Sequence, residues 1–199
     1  MTQEEVAITG EPITDAMSQF SVDRSVYPEK SLYFGSKEQA EGSALAERLF
    51  AIDGVRDVQI SHDPVTVRKT GVDEWPVIGK QVGAAIRDFL FSGESAVSAA
   101  IRQTIPPADE IRERVQQVLD AEINPSVVEH GEMIRPIDVK NNVVYIQMGG
   151  GCQGCGQAYV NLKFGIEIAI RAAVDGVGDI LDVTNHASGR NPYYVPSAK

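Results

Sequence analysis

Apolar positions along this chain change their period repeatedly, and each change predicts an element. Phe20 and Val22 alternate with polar neighbours and predict a strand that Tyr27-Pro28 ends, and Leu32 to Phe34 predicts a second short strand. From Ser43 the spacing becomes helical, with Leu45, Leu49 and Phe50 on one face and Gly54 as the stop. The β-rich runs Val55 to Ile60 and Val65 to Val67 flank His62-Asp63-Pro64 and predict a hairpin. After Trp75-Pro76, the residues Ile78, Val82, Ile86, Phe89 and Leu90 recur at helical spacing as far as Gly93.

The second half repeats the mixture in another order. Asp109-Glu110 open a helix carrying Ile111, Val115, Val118, Leu119 and Ile123, which Pro125 is expected to end. Ile134 to Val139 and Val143 to Met148 predict a hairpin about Lys140-Asn141-Asn142, since Asn tolerates positive φ. Leu162, Ile166, Ala169, Ile170 and Ala173 return to the helical period, Gly176 and Gly178 break it, and Ile180 to Val183 can add a last strand. The expected fold class is α+β, as two small domains at 19–93 and 109–199. Residues 94–108, small, polar and closed by Pro106-Pro107, read as the linker, and the polar residues 1–18 as a flexible N-terminus with little function.

Charge narrows the partners. The chain has 199 residues and a net charge of -10. Residues 1–100 hold nine basic against sixteen acidic side chains, and 101–199 nine against twelve. That balance argues against nucleic acid and against an anionic membrane surface as partners. The opening MTQEEVAITG has neither a basic n-region nor an apolar h-region, and no run has the roughly 18 apolar residues of a membrane span. A cytoplasmic protein with reduced thiols is the expectation.

The only two cysteines, Cys152 and Cys155, lie between the alternation of Val143 to Met148 and the helical repeat that follows, hence on a strand-to-helix turn. Gly149, Gly150, Gly151, Gly154 and Gly156 surround them and allow the backbone to approach a bulky group. The start of the following helix favours thiolate over thiol. A lone C-x-x-C admits metal or cluster ligation, a dithiol redox centre, or two inert thiols. Inert cysteines seldom sit in a glycine-rich turn, and the Trp and Pro usual beside a thioredoxin-like motif are missing. Ligation needs about four ligands where one chain offers two thiolates, so two chains would complete a set.

Other residue types carry less. His62 falls in a turn and reads as solvated or structural, Trp75 as core, and Tyr193-Tyr194 as a packed tail or a contact patch. The glycines fit neither a phosphate loop nor a dinucleotide fingerprint, and no catalytic triad or paired-carboxylate site is evident. The protein is not expected to be an enzyme.

Ile123-Asn124-Pro125, His130-Gly131, Gly149-Gly150-Gly151-Cys152-Gln153-Gly154-Cys155, Thr184-Asn185-His186 and Gly189 before Tyr193-Tyr194 together resemble the C-terminal domain of NfuA-type iron–sulfur carriers, the NifU C-terminal domain family. The resemblance runs from about Asp109 to Tyr194. It implies that Cys152 and Cys155 bind a 4Fe-4S cluster shared between two subunits, that the loaded form is a homodimer, and that cluster-donating scaffolds and apo-protein recipients are partners. It also gives His130 and His186 a supporting or protein-contact role. Glu132 stands where the family usually has a second Gly, so entry into the first strand is expected to differ. The alternatives are a C-x-x-C dithiol oxidoreductase and a zinc-binding interaction protein.

Ser43 to Val55, Val65 to Lys69 and Ile86-Arg87-Asp88-Phe89 before Ser92-Gly93 resemble the N-terminal domain of Nfu scaffold proteins, over about Phe20 to Gly93. With no cysteine of its own, that half is expected to dock donors or recipients, or to serve as a solubilising or dimer-supporting domain.

Overall fold

The structure, a computed structural model, describes residues 6–71, 74–128, 133–149 and 156–184, the last stretch without the side chains of 156–161. The chain divides into two compact α+β units, Met1–Ile105 and Pro106–Lys199.

The first unit is built on a five-stranded antiparallel sheet in the order β1-β2-β5-β4-β3, with β1 Ile8–Thr14, β2 Met17–Val22, β3 Leu32–Phe34, β4 Val55–Ile60 and β5 Val65–Lys69. Helix α1 (Ala44–Phe50) begins at Ser43, whose Oγ accepts from the Ala46 N–H at 3.3 Å and donates to the Ala96 carbonyl at 2.8 Å. Satisfying one of the unpaired N–H groups there is what lets so short a helix start cleanly. Helix α2 (Trp75–Ser92) places Pro76 in its first turn, where the missing N–H costs nothing, and ends at Gly93 with φ +68°. Its stripe of Ile78, Val82, Ile86 and Phe89 is buried with Leu45, Leu49, Phe20, Leu32, Ile60 and Val67 in one apolar core. Burial of the stripe matches the predicted period.

Two expectations give way here. The polar segment expected to be flexible through residue 18 contains β1, paired with β2 from Ile8 opposite Val22 to Thr14 opposite Met17. An edge strand with both faces largely exposed carries no apolar alternation, so main-chain pairing holds it without leaving a side-chain signal. The expected linker at 94–108 is also structured. Ala96 and Val97 are buried in the first core, the Ser98 N–H donates to the Gly42 carbonyl at 2.8 Å, and α3 occupies Ala99–Thr104. Small side chains that read as linker are the ones able to fit against Gly42.

The second unit opens with α4 (Ala108–Val118), passes through one π turn at Leu119–Ile123, and continues as the short α5 (Asn124–Val127). Pro125 therefore does not end the helix as expected. It occupies the first turn of α5, after the π turn has shifted the hydrogen-bond register. Strands β6 (Met133–Lys140) and β7 (Val143–Gly149) form the predicted hairpin, with Asn141 at φ +50° and Asn142 at φ +64°. Helix α6 (Gly156–Ala173) carries the chain to β8 (Ile180–Asp182), which pairs parallel to β7, so the sheet order is β6-β7-β8. Ile111, Val115, Leu119, Ile134, Val144, Ile146, Met148, Ile166 and Ile170 make its core. No described helix is long and apolar enough to cross a membrane.

Candidate functional site

Strand β7 stops at Gly149, opposite Met133 of β6, and α6 starts at Gly156. Cys152 and Cys155 both fall in the connection 150–155 and lie outside the described residues, as do the candidates His130, Glu132, His186, Tyr193 and Tyr194. The described residues show what holds the two ends of that connection.

The end of β7 is fixed from β8. The Met148 N–H donates to Thr184 Oγ1 at 2.7 Å, the Thr184 hydroxyl donates to Asp182 Oδ1, and the Thr184 N–H donates to the same oxygen at 2.8 Å. The Val183 N–H adds a bond to the Ile146 carbonyl at 2.9 Å. The start of β6 is fixed from α5 by Asn124, whose Oδ1 accepts from the Ile134 N–H at 2.8 Å while its Nδ2 donates to the Ile134 carbonyl at 3.0 Å and to Asp120 Oδ1 at 2.8 Å. One amide thus satisfies both main-chain groups of Ile134, a residue that is itself fully buried. Arg135 reaches across to Gln147 Oε1 at 3.1 Å. On the other side of the connection, Ile166 and Ile170 anchor α6 in the core, whereas Phe164 and Ile168 face outward at 56% and 54% exposure. Asn124 and Thr184 were both in the quoted motifs, and the geometry supplies the physical reason for them.

The remaining candidates behave differently. The His62 Nδ1 lies 3.0 Å from Ser25 Oγ and its carbonyl accepts from the Val26 N–H, a turn-holding arrangement. Among the described residues no group of three or more His, Cys, Asp or Glu is placed to hold a metal ion. Trp75 is half-buried at the edge of the core: its Nε1 donates to the Thr14 carbonyl at 3.1 Å, its ring meets Phe20 edge-on at 6.3 Å, and Lys69 Nζ sits 5.5 Å from its centre. Beside it opens a cavity of about 510 Å³ between the β1–β2 hairpin and α2, which the sequence reading missed. The available signal was Gly79 and Gly83, two glycines one turn apart inside a helical pattern.

Residues 115–181 match the NifU-like domain family, and residues 11–93 match the family described as scaffold protein Nfu/NifU N terminal. The chain belongs to the Nfu/NifU family, with an Nfu-type N-terminal domain followed by a NifU-like domain. It is 32% identical over 158 residues to the mitochondrial NFU1 iron-sulfur cluster scaffold homolog of Drosophila willistoni, covering 77% of this chain and 55% of that protein. A match of that length exceeds either unit alone. Against the Fe/S biogenesis protein NfuA of Stutzerimonas stutzeri it is 44% identical over 85 residues, covering 42% of this chain and 44% of the other. The chain spans about half the length of these curated relatives. The solution structure of a NifU-like protein from Saccharomyces cerevisiae aligns with a TM-score of 0.45 at 20% identity, covering 50% of this chain and 90% of that one.

Proposed function

We propose that this protein is an iron–sulfur cluster carrier, in which Cys152 and Cys155 of two chains together hold one 4Fe-4S cluster as cargo and release it to apo-proteins. What supports the reading is that the NifU-like match at 115–181 spans both cysteines of the chain, and that the relatives are named as iron–sulfur scaffold and Fe/S biogenesis proteins. The chemistry of the donor set agrees. Two thiolates per chain are half of the usual set for such a cluster, so a second copy completes it.

The role is carriage and not catalysis. A cargo held by two subunits loses half its ligands when they part, and each incoming recipient thiolate displaces one carrier thiolate with no change in electron count. Donor scaffolds and apo-recipients are the partners, and a reducing compartment, the cytoplasm, keeps the thiols available.

Anaerobic reconstitution tests this. About four iron and four sulfide should bind per two chains, with a shift in mass to a dimer. The loaded protein should then restore an apo 4Fe-4S enzyme in the presence of an iron chelator. Zinc alone, a full cluster on one chain, or disulfide reduction by cluster-free protein at a thioredoxin-like rate would each overturn the reading.

A further inference from the structure

Phe20 forms the floor of the open cavity in the first unit. A Cβ on Gly10 of β1 would come within 3.0 Å of its ring and one on Gly79 of α2 within 3.7 Å, so the ring lies between two residues without side chains. Gly83, one turn further along α2, lines the same cavity, yet a Cβ there would meet nothing within 4 Å. Glycine inside a helix costs about 1 kcal/mol relative to alanine. Nothing inside the domain demands that sacrifice at Gly83, so the space it leaves faces outward, for something outside the domain.

The rim carries charge of one sign. Lys80 and Arg87 of α2 line the cavity, are exposed, and make no ion pair or hydrogen bond with another described residue. By contrast Arg24, Arg48, Arg56 and Arg68 in the same unit are each paired with a carboxylate. Two free cations beside an apolar floor, in the more acidic half of an acidic chain, complement an anionic and partly apolar ligand. The cavity's size suits one or two side chains, and β1 is the edge strand of its sheet, with one side of its main chain unpaired by the sheet. An extended peptide meets all of these features.

We propose that the groove between the β1–β2 hairpin and α2 docks an acidic peptide segment of a partner protein, seating one large apolar side chain over Phe20 beside Gly83 and directing carboxylates to Lys80 and Arg87. The inference rests on the first unit alone and stands whether or not the cysteines carry a cluster.

The test uses the full chain. A fluorescently labelled preparation is applied to an array of randomised peptides of about ten residues, and the strongest binder is titrated while Trp75, the single tryptophan of the chain, is followed by fluorescence. The array should select acidic sequences containing a large apolar residue, with a saturable change at Trp75. Gly83→Leu should fill the groove and abolish binding without lowering the melting temperature, because the new side chain enters open space. Lys80→Glu and Arg87→Glu should each weaken binding about fivefold, as for exposed charge pairs. Selection of basic peptides, no selection beyond that of the Gly83→Leu protein, or binding undiminished by Gly83→Leu overturns the proposal. So does binding to phosphatidylserine vesicles, blocked by Gly83→Leu, with no peptide selected.

Discussion

Asn124 holds both main-chain groups of Ile134 with one side-chain amide, accepting at 2.8 Å and donating at 3.0 Å. The relationship ties α5 to the first strand of the second sheet, across ten residues of chain. It also explains why the helix bends its register at Leu119–Ile123: the π turn sets Asn124 where both bonds are made.

Asn124→Ala should lower the stability of the second unit by about 2 kcal/mol, since a donor and an acceptor of a buried residue are left unpaired. Asn124→Asp should be nearly as damaging at neutral pH, because a carboxylate accepts but cannot donate to the Ile134 carbonyl. Thermal unfolding measures the loss, and faster amide exchange at Ile134 locates it. Equal exchange at Ile134 in both variants and in the parent protein would refute the clamp.

Thr184→Val keeps the shape of the side chain and deletes the oxygen that accepts from the Met148 N–H. The expected cost is about 1–3 kcal/mol, the usual penalty for a buried donor left without a partner. Ser in its place should recover most of it. Because β7 runs directly into the connection bearing the cysteines, Thr184→Val should also release cluster faster after reconstitution, read from the decay of the visible absorbance.

Gly54 has φ +85°, and a Cβ there would lie 3.2 Å from the Thr70 carbonyl oxygen. Gly54→Ala is therefore strained both in its backbone and against main chain that cannot swing away. A loss of about 1–3 kcal/mol is expected in urea unfolding of the first unit. Gly71 has φ +95° with nothing within 4 Å of a Cβ, so Gly71→Ala should cost less, and the difference isolates the steric part.

Tyr27 is 3% exposed, and its hydroxyl has no hydrogen-bond partner among the described residues. Tyr27→Phe should leave the first unit unchanged or stabilise it by about 1 kcal/mol at pH 7, because an unsatisfied group is removed. Desolvation raises the phenol's pKa above its ordinary 10.0, with Glu29 acting in the same direction. Its folded pKa is above the unfolded one, so the stability linked to the neutral phenol is complete below pH 10.0 and lost as pH rises through the folded pKa. Melting temperatures above pH 10.0 should fall more steeply for the parent than for Tyr27→Phe. Parallel profiles would show that the phenol does not carry the effect.

Legibility along the chain followed the strength of the local period. Helix α2 was readable because Ile78, Val82, Ile86 and Phe89 repeat at its pitch and Pro76 and Gly93 punctuate it. The β6–β7 hairpin was readable because two asparagines accept the positive φ of its turn. Strand β1 was not, since an exposed edge strand buries too little to show alternation. Helix α3 and the buried Ala96 and Val97 were hidden by their small size, which looks like a linker until Gly42 is seen opposite. Of the site, Cys152 and Cys155 were readable as a motif, and they lie outside the described residues. The roles of Asn124 and Thr184 were legible only as letters in a motif.

By itself the sequence determined the motif and the family: two cysteines among glycines, between a strand and a helix, in a NifU-like domain after an Nfu-type one. Those features depend on spacing within a few residues or on the match of a whole segment. Only the tertiary structure decided which distant groups meet. Thr184 reaches Met148 over 36 residues, and Gly10, Phe20, Gly79, Gly83, Lys80 and Arg87 converge on one groove from a hairpin and a helix more than fifty residues apart. Periodicity reports the face an element buries. It does not report what stands opposite that face, which is set when burial of the whole core fixes the strands and helices against one another.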